Sequence, residues 1–256
     1  MTSCLLLISY LFILVLSLRE FKQVVENFSR VIAAAAAAVA GGRHAAAPFG
    51  VAAAVRWNET AMLVIDMQKD FILPEMESPV LVAGAKEIVA SVATAVACAR
   101  GRGVSVIWVV REHDPLGRDV ELFRRCWYAD GKGPTMKGSK GAELIDGLMM
   151  KEGEYKLVKT RFSAFFATHL DSLLKSSGIK NLVIVGVQTP NCIRQTVFDA
   201  VALDYQNVTV IVDATAAATP EVHSSNIRDM QNIGVATVTL QEWCCLDASL
   251  EKAEKK

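Results

Sequence analysis

The chain carries no net charge: 27 Lys and Arg stand against 27 Asp and Glu in 256 residues, and the basic ones are scattered rather than bunched. A nucleic-acid or polyanionic partner needs a concentrated basic face, so no nucleic acid is expected. No GxGxxG or GxxxxGKS/T loop follows a strand-like run, and dinucleotide and P-loop nucleotide binding are excluded on that ground. Internal repeats are missing. The six cysteines form neither a CxxC pair nor a disulfide-framework rhythm, so they read as reduced thiols, which favours a reducing, cytoplasmic compartment for the folded part. The histidines His44, His113, His169 and His223 are too dispersed for a zinc site.

What is present is a hydrophobic content of 52%, enough for one sizeable domain plus a short extra segment. The domain is placed at residues 56–248, with a charged tail at 249–256 and an apolar, then Ala-rich, extension at 1–55. Within that extension "CLLLISYLFILVLSL" is shorter than the roughly 20 residues of a bilayer span, and no Lys or Arg precedes it. The low-complexity Ala and Gly stretch that follows has nothing periodic to bury. A secretory or anchor segment, an organelle-targeting leader and a translated stretch outside the functional unit all remain open. A membrane is not an expected partner of the folded domain.

Beyond Arg56, Val- and Ile-rich runs of strand length recur: "AMLVIDM" at 61–67, "VSVIWVV" at 104–110, "LVIVGV" at 182–187, "VTVIVDA" at 208–214 and "VATVTL" at 235–240. Such runs suit strands buried on both faces. Between them, 80–103, 163–180, 192–206 and 219–234 show apolar residues at helical spacing, and three of the four end in or near Gly. The order strand, helix, strand, helix predicts a three-layer α/β/α sandwich around a mainly parallel, Rossmann-like sheet with right-handed crossovers. In such sheets chemistry sits beyond the carboxyl ends of the strands.

Three polar groups occupy such ends. Asp66 closes the first run and reads either as a turn cap or as a proton acceptor. Lys159, in "YKLVKTRFSAF", follows a short apolar pair ahead of a predicted helix and reads either as a solvated lysine or as a charge partner. Cys192 opens a helix after "LVIVGV", where free N–H groups and the helix dipole favour a thiolate. It is a nucleophile or a buried thiol. If the strand ends abut, a carboxylate, an ammonium and a thiol meet with no histidine required.

"LVIDMQKDF", "KTRFSAF" and "GVQTPNC", in this order, resemble the signature segments of the isochorismatase-like cysteine hydrolases, over about Trp57 to Trp243. The superfamily holds nicotinamidases, N-carbamoylsarcosine amidases and ureidoacrylate amidohydrolases. The resemblance implies a catalytic triad of Asp66, Lys159 and Cys192, and a cis peptide at Val187–Gln188. It also implies an oxyanion hole from the backbone N–H groups of Gln188 and Cys192. The activity implied is hydrolysis of a small amide or ureido substrate through a thioester. The alternatives are vinyl-ether hydrolysis of the isochorismatase type and an inactive nicotinamidase-like member. The relatives also make a dimer or tetramer the expected state.

Nicotinamidases carry an Asp, any residue, His metal pattern after the second strand. Here the corresponding stretch is "VVREHDPLGRDVELF", with Glu112 and Asp114 flanking His113, and the order of ligand types differs. The stretch looks more like the metal-free amidase branches, so no metal and no cofactor is expected. A divalent ion at Glu112, His113 and Asp114 is the alternative. Glu112, His113 and Arg161 point by position toward the substrate, Arg161 reading equally as a structural salt bridge. Phe71 is a candidate pocket wall by analogy with the family's "DxxxDF" segment, or plain packing. Trp108 is assigned to the core, and His223 to its own helix.

Overall fold

A computed structural model describes residues 56–245. The extension at 1–55 and the end of the chain from 246, including the boundary at 248 and the tail at 249–256, lie outside the described residues.

Six strands form one sheet in the order β3-β2-β1-β4-β5-β6: β1 Thr60–Ile65, β2 Ser105–Arg111, β3 Tyr155–Lys159, β4 Asn181–Val187, β5 Asn207–Ala216 and β6 Ala236–Val238. Every neighbouring pair is parallel. β1 is buried at all of its positions, which is why its sequence is continuously apolar rather than alternating. Helices α1 Lys69–Ile72, α2 Val89–Gly101, α3 Leu170–Ser176, α4 Arg194–Ala202, α5 Pro220–Asn232 and α6 Leu240–Cys244 complete the described elements of that class.

Two apolar cores lie on opposite faces of the sheet. Met62, Val64 and Trp108 pack on one side with Val92, Ala95, Val96 and Ala99 of α2 and Trp243 of α6. Ala61, Leu63, Ile65, Ile107 and Val109 pack on the other with Leu170 and Leu174 of α3, Val197 of α4 and Met230 of α5. Residues of one strand thus divide by parity between the cores, as a pleat requires. Val92, Ala95, Val96 and Ala99, three and four residues apart, form the buried stripe of α2.

The sheet differs from the sequence expectation at two places. β3 is a sixth strand where only an apolar pair was read, because it is an edge strand exposed at Tyr155, Lys156 and Val158. The helix expected from 163 is confined to Leu170–Ser176. Residues 160–169 form bends, with Ala164 N donating to Thr196 Oγ1 at 3.0 Å and Phe165 N to Ser163 Oγ at 3.1 Å. Side-chain oxygens that satisfy amides locally compete with helix formation. Among the described residues no helix is long and apolar enough to cross a membrane.

Candidate active site

The strand order reverses between β1 and β4, and that is where an open α/β sheet leaves a crevice at its carboxyl edge. Asp66 follows β1 directly; Cys192 lies in the single π-helical turn Thr189–Ile193 that follows β4 and runs into α4. Lys159 is the last residue of β3 and Arg111 the last of β2, paired with it in register.

Pleat parity explains which of these side chains meet. Ile107, Val109 and Leu157 face the core that contains Cys192, and Arg111 and Lys159 continue that parity to the strand ends. Ile65 also faces that core, so regular alternation would send Asp66 to the opposite side. Its left-handed backbone, at φ 52, breaks the alternation. For an L-residue this conformation costs roughly 1–3 kcal/mol.

Gly186 makes the approach possible. It pairs with Ile65, has φ 114, and a Cβ there would lie 2.1 Å from the Ile65 carbonyl oxygen. The next bond but one, Val187–Gln188, is cis. The Gln188 carbonyl then accepts from Asn191 N at 3.1 Å and Ile193 N at 3.3 Å, closing the turn that carries Cys192.

Lys159 Nζ lies 2.8 Å from Asp66 Oδ2 and 3.3 Å from Cys192 Sγ, and also donates to the Arg161 carbonyl at 3.2 Å. All three side chains are buried, and Cys192 is 3% exposed. Asp66 Oδ1 has no hydrogen-bond partner among the described residues. Burial pushes the Cys192 thiol above its ordinary range, Asp66 adds to that, and Lys159 and Arg111 pull the other way without cancelling it. The resting group is therefore a thiol. The thiolate expected from a helix start gives way to desolvation.

Arg111 escaped the sequence reading, although it ends a strand as Lys159 does. Its side chain is fully buried. Nη2 donates to Glu121 Oε1 at 2.9 Å and approaches Cys192 Sγ at 3.9 Å; Nε lies 3.9 Å from Asp66 Oδ2. Gln68 fixes the strand end that carries it: Nε2 donates to the Arg111 carbonyl at 2.7 Å and Oε1 accepts from Arg111 N at 2.8 Å. Nε2 also donates to the Ala142 carbonyl at 2.8 Å.

The remaining candidates separate. His113 is buried beside the site, with Nε2 3.3 Å from Arg111 Nη1 and Nδ1 3.2 Å from Asp119 Oδ1. Burial and the Arg111 charge push its pKa down to about 4, so at neutral pH it is uncharged. Glu112, of opposite parity to Arg111, pairs with Lys156. Asp114 pairs with Arg118 at 2.5 Å. Glu112, His113 and Asp114 thus have separate partners, and no cluster of three acidic, His or Cys side chains suited to a metal occurs among the described residues.

Arg161 donates to the carbonyls of Asp119 and Thr160, and no carboxylate pairs with it among the described residues. Phe71, 2% exposed, packs in the core on the face away from Cys192. Trp108 is core as expected, its indole N–H donating to Glu154 Oε2 at 2.7 Å. His223, read as belonging to its own helix, has Nδ1 2.9 Å from Thr189 Oγ1 and so ties α5 to the Cys192 turn.

A 3-2-1-4-5-6 parallel sheet flanked by helices, with a carboxylate, an ammonium and a thiol brought together at its carboxyl edge, is an open α/β fold of the isochorismatase-like kind. The Isochorismatase domain family matches residues 60–242, and the chain belongs to that family. It is 66% identical over 192 residues to a "Probable inactive nicotinamidase" of Arabidopsis thaliana, covering 74% of this chain and 97% of that one. Among solved structures, an isochorismatase family protein of Desulfovibrio vulgaris is 44% identical with a TM-score of 0.71, covering 75% of this chain and 98% of the other. N-carbamoylsarcosine amidase from Thermoplasma acidophilum is 27% identical with a TM-score of 0.59, over 71% and 96% of the two chains.

Proposed function

We propose that the chain is a cysteine-dependent hydrolase of a C–N bond in a small amide or ureido compound. The observation that carries this is the position of Lys159 Nζ, within 2.8 Å of Asp66 Oδ2 and 3.3 Å of Cys192 Sγ, while Asp66 Oδ1 stays unpartnered. Lys159 occupies one carboxylate oxygen and leaves the other to receive a proton.

Cys192 then acts as a thiol activated at the moment of attack. Asp66 takes the Sγ proton as sulfur bonds to the substrate carbonyl carbon. The backbone N–H groups of Gln188 and Cys192, at the mouth of the π turn, donate to the oxyanion; such a donor is worth about 2.7–4 kcal/mol. Collapse of the tetrahedral species breaks the C–N bond, the departing amine takes the proton from Asp66, and a thioester remains. Water, deprotonated by Asp66, cleaves it, and the sulfur leaves as the thiol once the proton returns from Asp66.

The N-carbamoylsarcosine amidase neighbour supports an amide or ureido substrate. A second reading, a member without turnover, is favoured by the 3% exposure of Cys192 and by the name of the Arabidopsis relative. Ammonia release from nicotinamide, N-carbamoyl acids and ureido acids separates the two. The hydrolase reading expects release by the native chain and none by Cys192→Ala. Release undiminished in that variant defeats the cysteine mechanism, and no release by the native chain favours the second reading.

A further inference from the structure

Beside Asp66, Lys159 and Cys192 lies a second charged group. Arg124, on the 3-10 segment Leu122–Tyr128, is 6% exposed. Its Nε sits 3.2 Å from Glu121 Oε2 but makes no hydrogen bond. Its two terminal nitrogens have no hydrogen-bond partner among the described residues. The guanidinium carbon stands 5.2, 5.4 and 5.6 Å from the ring centroids of Phe123, Trp127 and Phe162.

Phe162 is shared, since the Arg111 guanidinium carbon is 5.4 Å from the same ring. Glu121 pairs with both arginines. Burial and the Arg111 charge both press Arg124 toward its neutral form, and Cys192 is near enough to act on it electrostatically. Nε is buried without a hydrogen bond, while the two terminal nitrogens keep contact with solvent, so an anion arriving there would meet unspent donors.

The charges around the sulfur do not balance. Among the described residues, Lys159, Arg111 and Arg124 pair with Asp66 and Glu121 alone. At the rim Arg161 and Asp119 add one charge of each sign and are joined through the Asp119 carbonyl. His113, uncharged at neutral pH, adds none.

We propose that Arg124 binds a carboxylate of the substrate, so that the site takes N-carbamoyl or ureido carboxylic acids in preference to uncharged amides. The planar fork of an arginine matches a carboxylate through two parallel N–H donors. This rests on the hydrolase reading for turnover but not for binding.

The test compares N-carbamoylglycine with its uncharged amide, N-carbamoylglycinamide. Calorimetric titration into the full-length Cys192→Ala protein is expected to show the acid binding on the order of 10- to 100-fold tighter. Placing Arg124→Met in that background removes the difference, and in the active chain the acid preference collapses through KM. Should Arg124→Met fail to fold, Arg124→Lys, which keeps the charge but loses the planar fork, is expected to cut the preference several-fold. Equal affinities in Cys192→Ala, or a preference undiminished in a folded Arg124 variant, overturns the proposal. If the native chain hydrolyses neither compound, the wider ammonia-release panel decides the hydrolase reading, while the titration still decides the carboxylate site.

Discussion

At Cys192 two influences oppose each other, and their balance sets how the sulfur behaves in the absence of substrate. Lys159 and Arg111 favour the thiolate; burial and Asp66 disfavour it and prevail. Iodoacetamide at pH 7 is therefore expected to modify exposed Cys126 and Cys245 before Cys192, with Cys192 catching up only as the pH rises into the alkaline range. Peptide mass spectrometry of a time course reads this, and preferential labelling of Cys192 at pH 7 would contradict it. At this scale the sequence made Asp66, Lys159 and Cys192 legible because each stands at or just past an apolar run. It hid Arg111, a charged residue that reads as the start of a loop and is in fact the last buried position of β2. Glu112 was misplaced by one step of the pleat. Phe71, read either as a pocket wall or as packing, lies in the far core, a choice between the two that no local pattern records.

At the scale of elements, the site exists because β1 and β4 come close enough for the π turn to reach Asp66. Gly186→Ala places a methyl group 2.1 Å from the Ile65 carbonyl oxygen and forces an alanine into φ 114. A loss of about 3 kcal/mol or more is expected, read as a lower denaturant midpoint. A midpoint within about 0.5 kcal/mol of the native chain would show that the strands can part without penalty. The buried strands β1, β2, β4 and β5 were legible as unbroken Val and Ile runs. β3 was not, because an edge strand whose apolar pair Leu157 and Val158 is bracketed by Lys156 and Lys159 carries no such run. The α5 start at Thr219 and Pro220 was readable from the cap, whose Thr219 side chain accepts from Val222 N. The 160–169 segment was not, since its side-chain-to-backbone bonds involve Thr196, far along the chain.

For the molecule as a whole, acid sensitivity follows from the buried histidine. His113 has its pKa lowered from 6.5 to about 4, so between those values the unfolded chain binds a proton that the folded chain refuses. Stability is full above pH 6.5 and falls as the pH drops toward 4. Denaturant midpoints at pH 7 and pH 5 should differ less in His113→Gln than in the native chain; equal differences would refute the linkage. Glu154, held to about 2 by Arg100, Lys151 and Trp108 against its own desolvation, extends the decline only at still lower pH. Both cores lie within the described residues 56–245. A chain shortened to begin at Ala54 is therefore expected to keep the native denaturant midpoint and turnover, and loss of either would assign residues 1–53 a part in folding or catalysis.

Gln68 gives this arrangement a chemical weak point. Its single amide nitrogen faces two carbonyl oxygens, those of Arg111 and Ala142. Gln68→Glu would exchange that nitrogen for an oxygen, and three acceptors would then crowd one buried spot. That exchange of one atom, outside the reacting groups, would loosen the end of β2 and the arginine it presents.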